Sequence, residues 1–149
     1  MSKTVLLISS SGGHWVQMLR MRPAFEGMQQ VFASTDPALG SQVPDHAFYH
    51  VVDASAWQKF RLILQALQVL LILLRVRPTL VINTGASSGF FALLFAKKLG
   101  IRTIWVDSIA NSEELSLSGR RVGKYADLWL TQWQHLSAPD GPDYAGSVV

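Results

Sequence analysis

The chain of 149 residues contains no cysteine, which excludes a disulfide framework and a thiolate metal site and is compatible with a reducing compartment. Charge is scarce: 15% of the residues are Asp, Glu, Lys or Arg, against 49% hydrophobic. A mean hydropathy of +0.23 is high for a soluble domain and points to contact with a membrane or a large partner. Acid is missing altogether between Asp53 and Asp107, a stretch that carries seven bases: Lys59, Arg61, Arg75, Arg77, Lys97, Lys98 and Arg102. Basic and apolar together suit an anionic membrane face, or a buried helix flanked by solvated charges. The stretch lacks the dense Lys/Arg run, or the aromatics interleaved with bases, of a nucleic-acid surface. The uncharged run Leu62 to Leu74 falls short of the roughly 20 apolar residues that cross a bilayer. Met1-Ser2-Lys3-Thr4 lacks the marks of a signal peptide and is expected to enter a strand at once. Neither an internal repeat nor a low-complexity tract is present.

What is present is an alternation of short apolar runs and helical segments. Thr4 to Ser9, Gln30 to Ser34, Thr79 to Asn83, Arg102 to Val106 and Ala126 to Leu130 read as buried strands. A further short strand is expected near Phe48 to Val52, within an otherwise loop-like stretch over 36–56. Helices are expected from His14 to about Gly27, with Pro23 ending or bending the first; from Trp57 to Val76; and from Ser87 to Leu99, with Gly100 as the stop. A short helix or turn is expected from Ser118 to about Tyr125. In the longest helix, Arg61, Gln65, Gln68 and Arg75 form one polar stripe, and apolar residues occupy more than half of the circumference. The alternation predicts an α/β domain, a Rossmann-like doubly wound parallel sheet over 1–136, followed by an extended tail over 137–149.

Four polar clusters each follow a predicted strand. They are Ser9-Ser10-Ser11-Gly12-Gly13-His14, Asn83-Thr84-Gly85-Ala86-Ser87-Ser88-Gly89, Asp107-Ser108-Ile109-Ala110-Asn111 and Thr131-Gln132-Trp133. In an open parallel sheet, ligands bind beyond the carboxyl ends of the strands. The first two clusters open helices. Glycines there admit a ligand close to the backbone, and free N–H groups suit a phosphate or diphosphate. Capping by Ser87 or Ser88, and packing by His14, are the structural alternatives. Asp107 is placed to act as a general base or to orient a hydroxyl, although no nucleophile pairs with it. Glu113 and Glu114 read as a solvated turn, and Trp133 as lining a pocket or facing a partner. There is neither a P-loop nor a Gly-x-Ser-x-Gly elbow. His46, His50 and His135 lack metal-ligand spacing, so no metal or cofactor is expected. An alternative keeps Gly12-Gly13 as a dinucleotide turn with Asp36 on the ribose, in a small NAD-dependent oxidoreductase.

Ser-Gly-Gly-His at residues 11–14, Asn-Thr-Gly at 83–85, Asp-Ser-Ile at 107–109, Leu-Ser-Leu-Ser-Gly at 115–119, Tyr-Ala-Asp at 125–127 and Gln-Trp at 132–133 together resemble the asparagine-linked glycosylation protein fourteen family. That family includes the bacterial PssD-type exopolysaccharide proteins, and the likeness runs from about residue 4 to 136. Gly-Gly-His alone is shared with MurG-type glycosyltransferases. The resemblance implies the N-terminal, acceptor-side half of a GT-B glycosyltransferase. A donor-half partner would supply the nucleotide-sugar, expected to be a UDP-sugar. The chain would dock at the cytoplasmic face of the inner (plasma) membrane as a peripheral subunit and present a polyprenyl-diphosphate-linked acceptor in polysaccharide or glycolipid biosynthesis. On this reading Ser11, Gly12, Gly13, His14, Asn83, Thr84, Gly85, Ser87 and Ser88 hold the acceptor diphosphate. His14 and Asp107 are the catalytic candidates, and Gln132 and Trp133 face the partner or the cleft. Lys59, Arg61, Leu62, Leu70, Leu71, Leu74, Arg75 and Arg77 face the membrane. Two departures stand out. Eukaryotic members carry an N-terminal transmembrane anchor where this chain begins at its first strand. The family also often has Glu at the position of Asp107, with a basic residue soon after, where this chain has Asn111, Ser112, Glu113 and Glu114.

Overall fold

The computed structural model describes residues 3–55 and 57–148; the expectations touching Met1, Ser2, Ala56 and Val149 lie outside them. The chain alternates β1 (Thr4–Ile8), α1 (Gly13–Met21), β2 (Gln29–Ser34), β3 (Ala47–His50), α2 (Lys59–Val76), β4 (Leu80–Asn83), α3 (Ala86–Lys98), β5 (Arg102–Val106), α4 (Leu117–Val122), β6 (Leu128–Thr131) and β7 (Asp143–Tyr144). Among the described residues these strands form one seven-stranded sheet in the order β3-β2-β1-β4-β5-β6-β7, every pairing parallel. This is the doubly wound Rossmann-like arrangement that the alternation predicts.

The central strands carry near-continuous apolar runs, Val5 to Ile8 in β1 and Leu80 to Ile82 in β4, because helices cover both faces of the sheet. Side chains alternate across it. Leu6 and Ile8 join Val31, Val81, Val69, Leu73, Leu93 and Trp105 in one core, under α2 and α3. Val5 and Leu7 join Trp15, Met18, Phe32, Ile82 and Val106 in the other, under α1. Trp15 meets Phe32 edge-on, with ring centroids 5.8 Å apart, which locks α1 to β2.

Several boundaries differ from expectation. The first helix stops at Met21 and tightens into a 3-10 turn over Arg22–Phe25, because Pro23 cannot donate to the α-helical ladder. Part of the loop-like stretch is a 3-10 turn, Pro37–Gln42, capped by Asp36. The tail, over the described residues 137–148, is docked on the domain. Asp143–Tyr144 add the seventh strand beside Leu130–Thr131, and the N–H of Val148 donates to Gln132 Oε1 at 2.8 Å.

Candidate functional site

The strand order reverses direction between β1 and β4, which places the two glycine-bearing loops side by side at the topological switch point. Gly12, at φ +77°, turns the chain into α1; Gly85, at φ +131°, turns it into α3. Ala86 follows at φ +71°, a left-handed conformation that costs a residue with a β-carbon. Neither helix has a side-chain cap, so both first turns leave N–H groups without an intrahelical partner, at the positive ends of two helix dipoles. The arrangement suits an anion.

A reciprocal pair of bonds joins the loops. His14 Nδ1 lies 2.8 Å from the Thr84 carbonyl, and Thr84 Oγ1 donates to the His14 carbonyl at 2.7 Å. A carbonyl only accepts, so Nδ1 carries the proton and Nε2 keeps a lone pair for a ligand or a proton. A β-carbon at Gly85 would fall 2.8 Å from His14 Cε1, so glycine is what lets the ring sit there. Asn83 is buried below and its Oδ1 accepts from the Gly85 N–H at 3.2 Å. A β-carbon at Gly89 would press to 2.5 Å from the same oxygen. Ser87 does not cap α3. Its hydroxyl lies 2.8 Å from Gln65 Oε1 on α2 and 3.2 Å from the Ala54 carbonyl. Ser88 is buried with its hydroxyl unpartnered. Ser11, Gly12 and Gly13 are exposed at the rim. His14, Gly85, Ala86 and the segment Ser116 to Ser118 line a cleft of about 260 Å³.

The other two clusters are turned inward. Asp107 is buried, and its Oδ1 accepts from Ser116 Oγ at 2.6 Å and Trp105 Nε1 at 3.1 Å. Its Oδ2 accepts from the Ser116 N–H at 3.0 Å and Asn111 Nδ2 at 3.3 Å. The carboxylate edges the same cleft, but its lone pairs organise the Leu115-Ser116-Leu117 loop. This fits orientation of a hydroxyl, that of Ser116, better than proton transfer. The expectation that Gln132 faces a partner or a cleft is corrected by its burial. Its Nε2 donates to Gln17 Oε1 at 2.6 Å and to the Asp107 carbonyl at 3.0 Å, and its Oε1 receives Val148. Trp133 is half-buried and donates from Nε1 to the Ile109 carbonyl at 2.7 Å. Gln17 is the residue that sequence reasoning missed. It reaches Ser108 Oγ, the Ile109 N–H and Gln132, which lie more than 90 positions away in the chain. Its one signal was a glutamine three residues after His14, on an otherwise apolar helix face.

Asp36 Oδ1 accepts from the Ala38 N–H at 2.9 Å, so the carboxylate proposed for a ribose is engaged as a cap. Among the described residues no three His, Asp or Glu side chains gather as a metal-ligand set.

Along α2, the two glutamines of the polar stripe face the protein, while Arg61 and Arg75 at its ends are exposed. Arg61 Nε donates to the Asp53 carbonyl at 2.8 Å, Gln65 Nε2 to the Val52 carbonyl at 2.9 Å, and Gln68 Oε1 accepts from the Val52 N–H at 2.8 Å. Leu62 and Leu70 are half-buried, which corrects their place on an outer face, whereas Arg61 stays exposed although its Nε is engaged. Lys59, Leu71, Leu74, Arg75 and Arg77 are exposed. So are Phe60, Ile63, Leu64 and Leu67, none of them among the expected outer residues; with Leu71 and Leu74 they recur at steps of three and four on one face. Trp57, just before the helix, and Phe60 are each 90% exposed. No helix among the described residues is long and apolar enough to cross a membrane.

A family model described as oligosaccharide biosynthesis protein Alg14 like matches residues 47–148. The UDP-N-acetylglucosamine transferase subunit ALG14 of Eremothecium gossypii is 31% identical over 70 residues, 43% of this chain and 31% of that protein, so the match spans about a third of the relative's length. In fold, the chain is similar to MurG of Acinetobacter baumannii, with a TM-score of 0.80 at 13% identity, over 99% of this chain and 46% of that one. It is also similar to a UDP-N-acetylglucosamine 2-epimerase from Rickettsia bellii, with a TM-score of 0.69 at 14% identity, over 99% of this chain and 45% of that one.

Proposed function

The chain belongs to the Alg14-like family of oligosaccharide biosynthesis proteins, and from that premise we propose that it is the acceptor-binding, membrane-docking subunit of a two-component glycosyltransferase. A donor-half partner holds a nucleotide-sugar, a UDP-sugar by analogy with the named relative, and this chain presents a polyprenyl-diphosphate-linked acceptor to it. In fold the chain is similar to 46% of the MurG chain, and this reading assigns the donor half to the partner.

The observation that carries the reading is the pair of uncapped, glycine-headed helix N-termini at the switch point, joined through His14 and Thr84. Two such termini favour a ligand with two adjacent negative groups, as in a diphosphate. His14, with Nε2 free and its ring held by the Thr84 carbonyl, is the candidate that accepts the proton of the attacking hydroxyl. Docking is supported by the outer face of α2, apolar along its length with Lys59 at its start and Arg75 and Arg77 at its end. That pattern suits the interface of an anionic cytoplasmic leaflet.

Co-expression with a donor-half partner is expected to give sugar transfer from a UDP-sugar to a lipid-linked acceptor in membranes. The chain alone is expected to give none, and full transfer by the chain alone overturns the division of labour. His14→Ala in the assembled pair is expected to lower kcat; an unchanged rate removes His14 from the chemistry.

A further inference from the structure

A second cleft, of about 350 Å³, adjoins the one that holds His14. Its volume falls in the range of about 300–1,000 Å³ usual for small-molecule sites. The two share Ala86, Leu117 and Ser118 as a common wall. Their chemistry differs. The His14 side offers an imidazole, glycine backbone and serine hydroxyls. The second cleft is mostly apolar, with Leu62 of α2 and Phe90 and Phe91 of α3. Arg121 lines it too, on the same face of α4 as Leu117 and Ser118 at steps of four and three. Arg121 is exposed and solvated, and it brings positive charge to the boundary between the polar and apolar compartments. Leu62 connects this boundary to α2, whose opposite side is the exposed apolar face.

We propose that this second cleft is the subsite for the first prenyl units of the acceptor, that Arg121 pairs with the phosphate nearer the lipid, and that the acceptor therefore lies with its lipid end toward α2 and its sugar end at His14. The inference rests on the acceptor-binding reading above and adds to it an orientation, a subsite and a residue. A ligand with an anionic head and a branched hydrocarbon tail matches the sequence of compartments: uncapped helix N-termini, then Arg121, then Leu62, Phe90 and Phe91. Asp53, on the wall nearest α2, is the one acid lining the cleft; an uncharged prenyl chain passing it carries no like charge.

The test uses the whole chain, in solution, with geranyl diphosphate as the probe and inorganic diphosphate as its tail-less control, read by calorimetry. Geranyl diphosphate is expected to bind at least about tenfold more tightly than inorganic diphosphate, the effect of burying as little as two methylene-sized groups. Arg121→Gln is expected to weaken both ligands by about tenfold, the usual scale for a lost charge-assisted bond, with Arg121→Lys recovering part of the loss. Leu117→Gln, at an exposed position that should leave the fold intact, is expected to weaken geranyl diphosphate alone. A diazirine at the far end of the geranyl chain is expected to label Leu62, Phe90 or Phe91. Equal affinity for the two ligands, indifference to Arg121→Gln in a folded variant, or labelling around His14 overturns the proposal. Co-sedimentation of Arg121→Gln with anionic vesicles should match the unmodified chain, since Arg121 lies off the docking face. Absence of sugar transfer with a partner would refute the proposed function while leaving these binding results standing, so the two readings fail separately.

Discussion

The carboxyl edge of the sheet has two halves built from similar residues and put to opposite uses. The loops after β1 and β4 open outward: glycine at both helix caps, no side-chain caps, and a histidine with one free nitrogen. The loops after β5 and β6 close inward. Asp107 accepts four donors, and Gln132, Gln17 and Ser108 form a buried network among themselves. A polar residue at a strand end either offers its hydrogen bonds or uses them, and only the three-dimensional partner list tells which. The closed half holds the cleft wall of Ser116 to Ser118 in place for the open half, so the bracing is indirect but needed.

The sharpest way to break this contrast is Gly85→Ala. It forces a β-carbon into a positive-φ position and to 2.8 Å from His14 Cε1. Displacing that ring by even about 1 Å is expected to cost on the order of 100-fold in sugar transfer by the assembled pair, while circular dichroism shows a folded chain. Gln132→Ala probes the closed half. It strips a buried acceptor from Val148 and a donor from both Gln17 and the Asp107 carbonyl. A loss of about 2–3 kcal/mol in urea unfolding is expected, with transfer per folded molecule within about threefold of the original. A large activity loss with unchanged stability would place Gln132 in the open half instead.

Asp107→Asn is expected to be milder in stability, about 1–2 kcal/mol, because the isosteric amide keeps one acceptor oxygen. Its transfer rate should fall by no more than about tenfold; a fall of several orders of magnitude would make the carboxylate a proton carrier and dissolve the contrast. The smallest effect lies outside both halves. At the opposite edge of the sheet, the hydrogen bond from Lys97, joined by the bond from the Thr103 N–H, holds the Asp127 carboxyl below its ordinary value against the opposing effect of burial. A depressed carboxylate stabilises the fold above the unfolded-state value of about 3.9, and the gain is lost as pH falls through the lower folded value. Because this pair is solvated, Asp127→Asn is expected to flatten the acid limb of a stability–pH curve by well under 1 kcal/mol.

Much of the fold was legible in the chain because buried parallel strands advertise themselves as unbroken apolar runs between helices. β7 was not. Asp143 and Tyr144 sit between Pro142 and Ala145-Gly146, without an apolar pattern, and pair through backbone groups alone. The candidate site was legible as an edge with glycines and His14, through local chemistry: a strand, a turn needing positive φ, then a helix. The inward-facing half was illegible because its meaning lies in partners far apart in sequence, such as Gln17 with Gln132. The outer face of α2 was only partly legible. Hydropathy reports that a residue is apolar but not which side of the helix it occupies, so Leu62 and Leu70 looked equivalent to Leu71 and Leu74.

That last ambiguity is one the folding chain faces as well. α2 carries hydrocarbon on both its inner and its outer side, and burial of greasy surface alone rewards a half-turn about the helix axis almost as well as the observed setting. The choice falls to two amides. Gln65 and Gln68 grip the carbonyl and the N–H of a single residue, Val52, and only one rotation of the cylinder lets both reach it. Here apolar contact holds the helix to the sheet, and a two-pronged clasp on one residue fixes its angular setting.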